Sequence, residues 1–89
     1  MALARLEDIS EYEEGRPIGF VYQETNHPPS YQIREKGKVP TGGRSDLAEF
    51  AEIARSIEGV VWLTQEQIAV LGNMDMRPLS QEELAQIAA

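Results

Sequence analysis

Eighty-nine residues, of which 42% are hydrophobic, make a single small domain spanning 1–89, near the small end of the range that folds alone. The absence of cysteine excludes a disulfide framework and a thiolate metal site, and no stretch nears the ~18 apolar residues of a spanning helix. The net charge of −7 is unevenly spread: residues 1–15 hold five acids and one Arg, 16–44 five bases and two acids, and 45–89 eight acids and two Arg. Acidic ends around a basic middle disfavour wholesale attraction to a nucleic-acid backbone, while suiting a basic protein partner. The start, MALARLEDIS, lacks the apolar region of a signal peptide, so the expected location is the cytoplasm, with no membrane partner.

In chain order, residues 2–14 read as a short helix, with Leu3, Leu6 and Ile9 three apart, Tyr12 next in phase and Gly15 as its end. Its last turn carries Glu11, Glu13 and Glu14, where the helix dipole opposes them; a partly extended segment is the alternative. RPIGFVYQE alternates, placing Ile18, Phe20 and Tyr22 on one face of a strand and Gly19, Val21 and Gln23 on the other. TNHPP is a turn, because Pro28-Pro29 cannot continue a ladder. SYQIREK then reads as the second strand, with Tyr31, Ile33 and Glu35 on one face, so an antiparallel hairpin of about 16–24 and 30–36 is predicted. GKVPTGGR is expected to be a loop.

Ser45 to Gly59 carries the apolar stripe Leu47, Phe50, Ala51, Ala54 and Ile57, widened by Ile53. It predicts the central helix, 46–58, with Asp46 and Glu49 as a capping box and Gly59 as its left-handed end. Val60 to Leu63 is a short strand. After it, Leu63-Thr64-Gln65-Glu66-Gln67-Ile68-Ala69 is echoed by Leu79-Ser80-Gln81-Glu82-Glu83-Leu84-Ala85. Thr64 with Gln67 and Ser80 with Glu83 are capping boxes, and Leu63–Ile68 and Leu79–Leu84 are hydrophobic staples. Two short helices follow, the first stopping near Gly72, with Met74 to Arg77 a short extended connector.

The doubled phrase resembles the second helix of helix-turn-helix regulators. The resemblance implies a positioning helix at 64–71, a turn at 72–76 and a recognition helix at 78–88. The chain departs from that pattern in its long turn, in Pro78, and in having Glu82 and Glu83 but no Lys or Arg after Arg77. Two ordinary capped helices are therefore the favoured expectation.

Lys36, Lys38, Gly42, Gly43 and Arg44 form the candidate anion-binding set: three cations and a Gly pair lead into the helix start, though without a G-x-x-x-x-G-K-[ST] loop. A solvated basic loop is the plainer alternative. His27 stands alone in its turn, with no recognisable nucleophile or second ligand, so neither catalytic nor metal-binding residues and no cofactor are assigned. Tyr22, Tyr31 and Trp62 lie on predicted strands; if a helix covers only one sheet face, they are the candidate protein interface, and otherwise they build the core.

The expected fold is α+β: a small antiparallel sheet made of a β-hairpin plus a third short strand, a central amphipathic helix on one face, and two short C-terminal helices. The expected function is that of a non-enzymatic protein-interaction module, such as a small acidic inhibitor, immunity-type or accessory protein, acting on another protein or on a second copy of itself. A small regulator touching nucleic acid through the basic 34–44 loop or the C-terminal helices is the alternative.

Overall fold

The alternating segment at 18–22 becomes the strand on which the other elements assemble. The computed structural model describes residues 4–39 and 41–89. β1 (Ile18–Tyr22) pairs antiparallel with β2 (Ser30–Arg34), setting Ile18 opposite Arg34 and Tyr22 opposite Ser30. The TNHPP turn closes this hairpin through a left-handed Asn26 at φ 66°. β3 (Thr41–Arg44) lies antiparallel on the outer side of β2, with a register shift at Tyr31/Gln32. On the other side of β1, two short strands divide its length. β4 (Val61–Trp62) runs parallel beside Ile18 and Gly19, and β5 (Met76–Arg77) runs antiparallel beside Val21 and Tyr22.

The α+β class is thus as expected, and the arrangement is richer than a hairpin with one added strand. The segment expected as a loop supplies β3, because the outer edge of β2 offers backbone partners with which the backbone of Thr41, Gly42 and Arg44 pairs. The predicted N-terminal helix is shorter than its periodicity suggests: a 3-10 turn (Leu6–Asp8) is followed by the single-turn helix α1 (Ser10–Glu13). Ile9, extended at φ −80° and ψ 126°, separates the two, while Ala2 and Leu3 lie outside the described residues.

α2 (Leu47–Ser56) is the predicted central helix, but it closes at an extended Ile57, ahead of Gly59, and Glu49 pairs with Arg44 in place of completing a capping box with Asp46. Asp46 caps it by accepting a 2.9 Å hydrogen bond from the Ala48 amide, and Phe50, Ala51 and Ala54 are buried along the anticipated stripe. The two echoed phrases both open helices, α3 (Gln65–Leu71) and α4 (Gln81–Ala88), each with its capping box formed. α3 stops at Gly72, whose φ of 69° suits a residue without Cβ. α4 ends against α2: Arg55 donates to the carbonyls of Ile87 (2.8 Å) and Gln86 (3.0 Å), satisfying acceptors that a helix end leaves free.

The sheet is covered on both faces, not one. On the first face Val21, Tyr31 and Ile33 pack beneath Phe50, Ala51, Ala54, Leu79 and Ile87, so α2 and α4 form one layer. On the second face Ile18 and Phe20 pack with Tyr12, Leu63, Ile68 and Leu71, so α1 and α3 form the other. Period-two alternation in β1 is what permits two cores: its even positions Ile18 and Phe20 serve one and Val21 the other. α3 and α4 therefore sit on opposite sides of the sheet, with β5 between them in sequence, and do not form a helix-turn-helix unit. Among the described residues no helix is long and apolar enough to cross a membrane.

Candidate functional site

The second layer does not extend over β2. Ile18 and Phe20 are covered, but the second-face positions of β2 are Gln32 and Arg34, polar residues that no helix can cover cheaply. Where the covering layer ends, a groove of about 590 Å³ opens. Its floor is Phe20 and Tyr22 from β1 with Met76 from β5, its polar wall is Gln32 and Arg34, and its other walls are Ala4–Leu6 and Leu71–Met74.

The groove is apolar below and cationic at its edge. Phe20 and Leu71 are buried, whereas Met74 at the rim is 98% exposed. Arg34 donates from Nε (3.2 Å) and Nη2 (3.1 Å) to Gln32 Oε1, and Gln32 donates in turn to Ser30 Oγ at 3.4 Å. This ladder orients the guanidinium along the wall and leaves Nη1 unused by it. Arg5 donates its backbone amide, not its side chain, to Asp8 Oδ2 at 2.8 Å. Among the described residues neither arginine has a carboxylate within ion-pair distance, although the chain holds 15 acids. Tyr22 donates its hydroxyl to Asp75 Oδ2 at 3.2 Å, and the Asp75 charge raises the phenol's pKa above its ordinary value.

On the opposite face lies a polar cluster of a different kind. Arg77 Nη1 and Nη2 reach the Glu83 carboxylate at 2.8 and 3.1 Å, and Tyr31 donates its hydroxyl to the same carboxylate at 2.7 Å. Glu83 also accepts from the Ser80 amide at 2.8 Å as the α4 capping residue. These donors, the Arg77 guanidinium foremost, hold the Glu83 pKa down to about 2. Burial and the bond to Glu83 push the Tyr31 hydroxyl upward. Every polar group in this cluster is spent on its neighbours, so it ties β2, β5 and α4 together.

The residues singled out from sequence are distributed differently from their grouping there. Tyr31 is 5% exposed and stacks on Phe50 at 5.4 Å; Trp62 meets Phe50 edge-on at 6.3 Å. Both belong to the first-face core, the core-building alternative for these aromatics, while Tyr22 alone lies on the second face beside the groove. The five candidate anion residues are not gathered into one cradle. Lys38, in the turn before β3, pairs with Glu35 at 2.9 Å; Gly42 and Gly43 are within β3; Arg44, at its far end, pairs with Glu49 at 3.4 Å. Lys36 is exposed in the same turn as Lys38, and the α2 start beyond Arg44 already carries the Asp46 carboxylate. Among the described residues His27 Nδ1 donates within its own turn, to the Thr25 carbonyl at 3.0 Å, with Glu24 3.7 Å away. Among the described residues no group of three or more His, Asp or Glu has metal-binding geometry.

The groove was not anticipated. Its one sequence signal was the alternation that sends Gln32 and Arg34 to the face opposite Tyr31 and Ile33, and its walls come from segments remote in sequence. Compared with protein-family models, curated proteins and solved structures, the chain matches none.

Proposed function

We propose that the chain is a non-enzymatic protein-interaction module and that the second-face groove is its contact surface. The observation that carries this reading is Met74, an apolar side chain held 98% exposed at the rim of an apolar-floored groove. Methionine is flexible and polarizable and adapts to varied partner surfaces, which is why it recurs at binding grooves. Tyr22 beside it offers an amphipathic ring of the type enriched at interfaces. The titratable groups at the groove, Arg5, Arg34 and Tyr22 with its neighbour Asp75, comprise no nucleophile held by a base, which supports binding over chemistry.

Affinity capture from a lysate of the source organism tests this, with the wild type and Met74→Glu as baits. A protein retained by the wild type and lost from the variant is expected. Nucleic acid in the eluate, or the same proteins on both baits, overturns the reading.

A further inference from the structure

We infer that the groove takes an acidic, apolar peptide segment of the partner, with its leucine-like side chains on Phe20, Leu71 and Met76 and its carboxylates at Arg34 and Arg5. This rests on the proposed protein-interaction role and gives the partner its chemistry. Charge complementarity carries it. The chain has 15 acids against 8 bases, yet the groove is lined by two cations, Arg5 and Arg34, and by no acid, and neither cation has a carboxylate within ion-pair distance among the described residues. A guanidinium with free donors is a strong match for a carboxylate, and bidentate pairing adds direction.

Arg34 is also held ready. Its Nε and Nη2 are fixed on Gln32 Oε1, so an incoming carboxylate meets an oriented Nη1 edge and not a freely rotating side chain. A basic segment is disfavoured by the same two charges. The overall acidity of the chain predicts a basic partner; the groove carries the opposite sign locally, and a contact is governed by the local one because charges beyond about 10 Å are screened at physiological salt.

The test is a fluorescence-anisotropy titration with a short fluorescein-labelled peptide of alternating leucine and glutamate. Its leucine–lysine and serine–glutamate counterparts, and sodium laurate as an unlabelled competitor, complete the set. The leucine–glutamate peptide is expected to bind at least about tenfold tighter than either counterpart, and to weaken about three- to tenfold with Arg5→Ala and with Arg34→Ala. Swapping the sign of the peptide needs no variant, and exposed Arg5 can be replaced without touching a core, so failure to fold does not decide the outcome. Equal binding of acidic and basic peptides, indifference to both arginine replacements, or laurate binding in place of peptide overturns the inference. If peptide selectivity fails while Met74-dependent capture of a protein succeeds, the interaction role stands and only its stated chemistry falls.

Discussion

Glu83→Gln isolates the Arg77–Glu83 pair from the helix cap it shares. Glutamine at this position still accepts from the Ser80 amide and Arg77 Nη1 through its one oxygen and completes a capping box, so the change removes the charge while keeping the shape and the cap; the bonds that Oε2 accepts from Tyr31 and Arg77 Nη2 are lost with the charge. In the folded chain the Glu83 pKa is lowered from 4.5 to about 2, which corresponds to roughly 3 kcal/mol of preferential stabilisation of the ionised form. The Glu83 side chain is 12% exposed, but Arg77 is 36% exposed and partly screened by water, so the net loss expected at pH 7 is about 1–3 kcal/mol. The sign follows from the depressed pKa. The contribution is complete above the unfolded-state value of 4.5 and is lost as pH falls from there through about 2. Urea denaturation of wild type and variant at a series of pH values measures the difference directly. It is expected to be largest at neutral pH and to shrink towards zero near pH 2, with the m value unchanged. A difference below ~0.5 kcal/mol at pH 7, or one that does not shrink in acid, refutes the assignment of this cluster as the tie between β5 and α4.

Three further outcomes can be checked with the same purified protein. A Cβ built on Gly19 overlaps the Trp62 ring, which sits beside it across the parallel β1–β4 pair; Gly19→Ala should therefore cost about 1–3 kcal/mol, and Tm should fall by several degrees in a thermal melt. Most of that cost should vanish in a Trp62→Ala background, as a double-mutant cycle would measure. Thr64→Ala removes the side chain that accepts from the Gln67 amide at 3.2 Å and should cost about 0.5–2 kcal/mol in urea denaturation. Met74→Glu, by contrast, should leave the unfolding free energy from urea denaturation within about 0.5 kcal/mol of wild type, because the side chain it replaces is already 98% exposed.

The two echoed helix starts were fully legible from sequence, because a capping box and a staple are local: Thr64, Gln67, Ser80 and Glu83 need no distant partner to declare themselves. The stripe of α2 and the alternation of β1 and β2 were legible for the same reason, since 3.6- and 2-residue periods mark which side chains face a core. What could not be read was the partner of each apolar face. Ile18 and Phe20 looked like one side of a half-covered sheet until Tyr12, Ile68 and Leu71, from opposite ends of the chain, met them. β3 escaped because Gly42 and Gly43 carry no strand preference; their strand comes from the backbone edge of β2. The Arg77–Glu83–Tyr31 cluster escaped because Tyr31 and Glu83 are 52 positions apart. The groove followed the same logic, with only Gln32 and Arg34 signalling it.

The claim that the second-face groove is a protein contact surface is tested most directly by photo-cross-linking from inside it. A benzophenone-bearing amino acid is placed at Met74, on the groove rim, and in a separate preparation at Val39, which is 87% exposed in the turn before β3 and lines no part of the groove. Illuminated in a lysate of the source organism, the Met74 position should yield a discrete cross-linked protein band that the Val39 position lacks. The same band from both positions, or none from Met74, would contradict the account.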